Sequence, residues 1–186
     1  GRAFLAGQEV AIASVAAMGI AWLIFMLPHS VATVSIATAY FTRMSTHAME
    51  RKFDDLKADL SDGLRTIAMI SVLASAGLIV LAYPISRVFV GEIPSTIALG
   101  NVVIAMVVGL LPFSYVFMIQ RAFYSSEDTR TPFLFTVVQT VLNIFGSIMV
   151  AIYAEHVWIV VCLSLVTSGS ILVQAVLAFF MFKRKF

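Results

Sequence analysis

The stretch Arg121-Ala122-Phe123-Tyr124-Ser125-Ser126-Glu127-Asp128-Thr129-Arg130-Thr131-Pro132 decides the fold. It holds four formal charges, Arg121, Glu127, Asp128 and Arg130, between two long runs that hold none. No Asp, Glu, Lys or Arg occurs from Ile93 to Gln120, or from Thr131 to Ala154. A hydrocarbon core excludes charge and forces the backbone to satisfy itself, so each run reads as a spanning helix. The polar knot between them must then lie at a membrane surface. Thr131-Pro132 predicts the start of the second helix, with a hydroxyl at the N-cap and proline at the first helical position.

Composition agrees. Of 186 residues, 61% are hydrophobic and 12% charged, where a soluble domain is closer to a quarter charged. The fold class is an all-α integral membrane protein, with room for five or six spans at roughly 20 residues each. The lone Cys162 excludes a disulfide framework within the chain. The opening Gly1-Arg2-Ala3-Phe4-Leu5 has no starting Met and no signal pattern, so a piece of a longer chain is expected.

Outward from the knot, the spans fall at about 12–44, 66–90, 95–120, 132–153 and 157–182, forming a single transmembrane bundle over residues 1–186. Pro28 and Pro112 lie inside the first and third spans, where each should kink its helix. Between the first two spans, Met49, Phe53, Leu56, Leu60 and Leu64 recur every three or four positions among charged residues. That spacing predicts an amphipathic helix over 46–62 lying along the interface, broken by Ser61-Asp62-Gly63. Segments 43–65, 121–130 and 183–185 carry ten of the 12 Lys and Arg, leaving only Arg2 and Arg87 elsewhere. The positive-inside rule then places those segments and the C-terminus in the cytoplasm and the N-terminus outside.

Two polar stripes are candidates for a substrate pathway. Ser35, Thr38 and Thr42 share one helix face, and so do Thr136, Gln139, Asn143 and Ser147. Each stripe has two readings: hydrogen bonding between helices, at about 0.6 kcal/mol per contact, or lining of a wet route. Ser164, Thr167, Ser168, Ser170 and Gln174 spread over several faces of the last span and read as packing. Arg43, Arg121, Glu127, Asp128 and Arg130 gather at the cytoplasmic surface, as a solvated loop or as a gate whose charges pair in one state and part in another. Catalysis finds no support. His29, His47 and His156 are far apart with no ligand-spaced Cys or carboxylate, so no metal and no cofactor is expected. Nothing points to nucleic acid as a partner.

Leu27-Pro28-His29-Ser30-Val31-Ala32-Thr33-Val34-Ser35, continuing to Arg43-Met44-Ser45, resembles the MurJ/MviN lipid II flippases. So does Arg121-Ala122-Phe123-Tyr124 followed by Asp128-Thr129-Arg130-Thr131-Pro132, in the same order and at a matching separation. The resemblance covers nearly the whole chain. It implies most of the second lobe of a two-lobed transporter of the multidrug/oligosaccharidyl-lipid/polysaccharide exporter superfamily. It further implies alternating access that moves lipid-linked peptidoglycan precursor from the inner to the outer leaflet of the bacterial plasma membrane. The partners implied are that precursor, membrane lipids and the missing first lobe of the same chain. Leu23 stands where many members carry an arginine, five residues before the proline. Asn143 matches the asparagine of a cation site found in some members, with Ser147 where their aspartate stands. The alternatives are a flippase for another polyprenyl-linked glycan and a non-transporting scaffold that docks cell-wall assembly proteins.

Overall fold

The computed structural model describes residues 2–5, 8–11 and 15–186. Two short strands, β1 (Arg2–Leu5) and β2 (Gln8–Ala11), pair antiparallel with Arg2 opposite Ala11. The rest is helical. Five helical stretches are long and apolar enough to cross a membrane: Val15–Met49, Phe53–Val80, Ile93–Ser125, Arg130–Tyr153 and Ile159–Lys185.

The first stretch is α1 (Val15–Pro28), a π-helical turn (His29–Thr33) and α2 (Val34–Met49). Its expected start at Ile12 lies outside the described residues. Proline at 28 lacks an N–H, and its ring crowds the preceding turn. The helix takes up that mismatch by widening one turn, so that the Val34 N–H donates to the His29 carbonyl five residues back. The chain turns at Glu50-Arg51-Lys52, where Arg51 takes a left-handed φ of 58°.

The next helix corrects the predicted interfacial element. α3 (Phe53–Val80) runs unbroken through Ser61-Asp62-Gly63, so residues 53–62 are the opening turns of a span and 46–49 are the end of α2. Leu56 and Leu60 face protein rather than lipid, sharing a buried cluster with Met44, Ile67, Met118 and Ile119. Gly63 is there for close approach: a Cβ would collide with the Met118 methyl and touch the Tyr40 ring. The span expected over 66–90 also ends early, at Val80. After Leu81, a separate short helix α4 (Ala82–Phe89) begins. The Tyr83 ring of α4 covers Gly100, and its hydroxyl donates to Asn101 Oδ1 at 3.0 Å.

The third stretch is the buried centre of the bundle. It is split into α5 (Ile93–Val107) and α6 (Leu110–Ser125) by Val108-Gly109, just before Pro112. At the break the Gly109 N–H bonds Met106 instead of Ala105. The carbonyl of Ala105 is taken up by the Ser168 hydroxyl, which donates to it at 2.8 Å and lies 3.3 Å from the Met106 oxygen. A kinked buried helix must find such a donor. α7 (Arg130–Tyr153) follows, then α8 (Ile159–Lys185), with α7 packed along α8 and otherwise little covered. Ala21, Phe25, Leu99, Val103 and Leu110 centre one apolar cluster, and Met44, Leu56, Met118, Phe123 and Phe135 the other.

Candidate functional site

The two polar stripes have different surroundings. Ser35, Thr38 and Thr42 are all exposed on the outer face of α2. The Ser35 hydroxyl donates to the Val31 carbonyl and that of Thr38 to the Val34 carbonyl, each at 2.7 Å. These bonds stay within the helix, so the stripe offers polarity outward without a partner helix.

The stripe on α7 instead turns toward α8. Asn143 Nδ2 donates to Thr167 Oγ1 at 3.2 Å and to Ser170 Oγ at 3.3 Å. Gln139 Nε2 donates to the same Ser170 oxygen at 3.3 Å, and Gln174 Nε2 of α8 donates to Thr136 Oγ1 at 3.2 Å. Gly146 lets the two helices close, since a Cβ there would strike Val166. Ser147 is half-buried one turn beyond Asn143. The polar residues of α8, expected to scatter, sort by partner. Thr167, Ser170 and Gln174 meet α7, whereas Ser168 meets the α5–α6 break.

The charged residues do not pair among themselves. Arg43 Nη2 lies 2.6 Å from Asp59 Oδ1, a carboxylate almost wholly buried at the start of α3. His47, one turn after Arg43, brings Nδ1 within 3.1 Å of the other Asp59 oxygen, out of line for a hydrogen bond. Arg121 lies over two aromatic rings, 4.9 Å from the Phe117 centroid and 5.7 Å from that of Phe41. Asp128 pairs with Lys185 Nζ at 2.6 Å. Glu127, at a left-handed φ of 57°, and Arg130 are exposed, with no ion-pair partner among the described residues.

The start of α7 also differs from expectation: the helix begins at Arg130 rather than Pro132, the N-cap residue Thr129 makes no side-chain bond, and Asp128 does the capping. Its Oδ1 accepts the backbone N–H of Arg130 and of Thr131, each at 3.0 Å, and its Oδ2 accepts the Thr131 hydroxyl at 2.7 Å. Burial by itself would raise the Asp128 pKa. The Lys185 ammonium and the Thr131 hydroxyl and N–H outweigh burial and hold the carboxyl well below the usual carboxylate range.

Sequence reasoning missed Asp59, His47 and Lys185. Asp59 had a signal, since Leu56, Leu60, Gly63 and Ile67 mark the buried face of α3 and Asp59 falls on it. Lys185 had none beyond its charge. The end of α2, the start of α3 and the ends of α6 and α8 meet here, with the ring centroids of Phe53, which opens α3, and Phe186, just after α8, 5.5 Å apart. A hollow of about 310 Å³ opens between the two turns, lined by Ala48, Met49, Arg51, Phe53, Ser125, Ser126 and Glu127. Among the described residues, no group of three or more His, Cys, Asp or Glu is placed to hold a metal.

Comparison with known proteins fits this architecture. The family described as lipid II flippase MurJ matches residues 3–186. A probable lipid II flippase MurJ of Borreliella burgdorferi is 27% identical over 151 residues, covering 77% of this chain and 30% of that protein. The lipid II flippase MurJ of Thermosipho africanus is 28% identical over 129 residues, covering 67% of this chain and 26% of that protein. A solved lipid II flippase MurJ in an inward closed conformation superposes with a TM-score of 0.79 at 23% identity, over 91% of this chain and 36% of that one. The chain thus spans under a third of the length of these two curated relatives. With the family matched over almost every residue and the five-span fold shared, the chain belongs to the lipid II flippase MurJ family.

Proposed function

We propose that this chain forms one wall of the route by which a full-length flippase moves lipid-linked peptidoglycan precursor from the inner to the outer leaflet. The family match over residues 3–186 carries this reading. The outward stripe of α2 supports the place of the route. Ser35, Thr38 and Thr42 offer hydroxyl oxygens on a face free of formal charge until Arg43. Such a surface suits a sugar headgroup that must pass without being gripped. The facing wall comes from the part of a relative-length protein that this chain does not include. Gln139 and Asn143 serve the route indirectly, by fixing α7 to α8.

The end carrying Lys183–Lys185 is cytoplasmic in this proposal, since it gathers ten of the 12 basic residues. At that mouth the Arg43–Asp59 and Asp128–Lys185 pairs tie helix ends together, so the lobe rocks as a unit. Exposed Glu127 and Arg130 are left to engage the facing lobe when the mouth closes.

The test is lipid II flipping by the full-length protein with Thr38 and Thr42 both changed to Val. Thr38 bonds only within its helix, and Val keeps the β-branched shape, so thermal stability should hold while flipping falls severalfold. Unchanged flipping by a normally expressed variant would remove α2 from the route.

A further inference from the structure

The first span changes helical register where it meets the buried centre of the bundle. Pro28 is followed by the π-turn His29–Thr33, and two residues of that turn meet one oxygen of α6. Thr33 Oγ1 donates to Ser114 Oγ at 3.0 Å, and His29 Nδ1 lies 3.3 Å from the same atom. All three residues are buried, Ser114 completely. A hydroxyl has one proton and two lone pairs, so Ser114 can accept from Thr33 and turn its own proton to His29 Nδ1. Phe113 and Phe117 hold the imidazole in place, with ring centroids 4.6 and 5.2 Å from it. The outer side of the turn closes locally. The Ser30 hydroxyl donates to the Met26 carbonyl and that of Ser35 to the Val31 carbonyl, each at 2.7 Å. Those bonds travel with the helix and give it no direction, whereas the tie to Ser114 refers it to another helix.

A π-turn takes up one residue more than an α-turn. At 3.6 residues per turn, that residue is worth about 100° of rotation. It therefore decides which side of α2 every later residue occupies relative to α1. Were the turn to tighten to α geometry with α1 fixed, each residue of α2 would advance one place around the axis. Ala37, fully buried, would take the place of exposed Thr38, and half-buried Phe41 that of Thr42. Proline explains why the helix is irregular here, since it removes a donor and crowds the preceding turn. It does not by itself choose a widened turn over a bent α-turn. The shared hydroxyl supplies that choice.

We propose that Ser114 is a positioning residue: by holding His29 and Thr33 on one oxygen, it keeps the π-turn open and sets which face of α2 carries Ser35, Thr38 and Thr42 outward. Its value for transport rests on the reading of that face as a wall of the route. The geometry does not.

The experiment measures spin-label distances by double electron–electron resonance in the full-length protein with its native cysteines replaced. Thr66→Cys on α3 is paired in turn with Ala39→Cys on α2 and with Leu23→Cys on α1, all three positions being exposed. A side chain at the rim of a helix about 11 Å across moves by about 8 Å in a rotation of roughly 100°. Ser114→Ala forfeits two neutral hydrogen bonds, which shifts a two-state equilibrium about tenfold. The share of a second 39–66 distance, several ångströms from the first, should grow by that factor while the 23–66 distance stays. Asn143→Leu removes the same number of neutral hydrogen bonds from the α7–α8 seam, and should leave both distances alone. No change at 39–66 in Ser114→Ala overturns the proposal. So does a change at 23–66, alone or with 39–66, or an equal change in Asn143→Leu. If Ser114→Ala does not fold, Thr33→Val keeps the branched shape and removes one donor. It should raise the second 39–66 distance severalfold, and no rise again overturns the proposal. Flipping separates this from the route. Unchanged flipping with Thr38 and Thr42 both changed to Val removes the route and leaves a shifted 39–66 distance standing for Ser114.

Discussion

Replacing Asp128 separates two jobs done by one carboxylate. Oδ1 caps α7 by accepting the N–H groups of Arg130 and Thr131 at 3.0 Å, while Oδ2 meets Lys185 Nζ at 2.6 Å. Asp128→Asn keeps an oxygen for the cap and removes the ion pair. The Lys185 side chain is 37% exposed, so water screens that pair and its loss should cost only about 0.5 kcal/mol. Asp128→Ala removes the cap as well, adding about 1 kcal/mol. In a local-opening equilibrium these become roughly twofold and roughly tenfold. Amide hydrogen exchange at Arg130, Thr131 and Phe133 in the full-length protein reads both. The pH dependence has a definite sign. A carboxyl whose folded pKa is depressed stabilises the fold fully above its unfolded value, near 3.9, and loses that contribution as pH falls toward the folded value. The advantage of Asp128 over Asn should therefore be constant from neutral pH to about 4 and shrink below it. Equal exchange in the Asn and Ala variants, or an advantage that grows below pH 4, would refute this account.

Ser168→Ala should destabilise the bundle by roughly 1–3 kcal/mol, because the Ala105 carbonyl is left buried and unpaired; thermal unfolding of the full-length protein checks this. Gly109→Ala should be worse tolerated than Gly63→Ala. The new methyl at 109 meets the Met106 carbonyl and the Ser168 backbone, both at 3.2 Å, whereas at 63 it meets the movable end of Met118. Parallel measurement of expression and melting temperature ranks the two variants. Asn143→Leu removes two donors from the α7–α8 seam, at about 0.6 kcal/mol each, so the melting temperature should drop slightly while surviving protein flips normally. A stable variant that fails to flip would place Asn143 on the route instead.

The five spans were legible because charge-free runs of that length have few other uses, and Pro28 and Pro112 marked real irregularities. Breaks within the polar region were not. Gly63 reads as a helix breaker, yet it serves a close approach to Met118 and Tyr40 that depends on α6 and α2, distant in sequence. The actual turn at Glu50–Lys52 carries no glycine at all and puts Arg51 in the left-handed region. The Thr131 hydroxyl, just before proline, reads as the cap, whereas α7 already starts at Arg130 and the Asp128 carboxylate accepts the N–H groups of Arg130 and Thr131. The site residues were legible as polar stripes but not as partners. Periodicity shows which residues share a face and is silent on what that face meets. Ser35 and Asn143 therefore looked alike in sequence and differ in structure.

The near-exclusive packing of α7 on α8 bears on how the protein is made. During synthesis α7 is complete before any of α8 exists, and α8 is 27 residues long. At about 5–20 residues per second, the delay is on the order of one to five seconds. Through that interval Gln139 and Asn143 lack Thr167 and Ser170, and their amides must be tolerated by lipid, by the insertion machinery or by α6. The hydroxyl-bearing helix then arrives as the second strip of a zipper whose first strip is already in the membrane. A chain truncated before Ile159 would leave α7 permanently in that waiting state, exposed to membrane quality control.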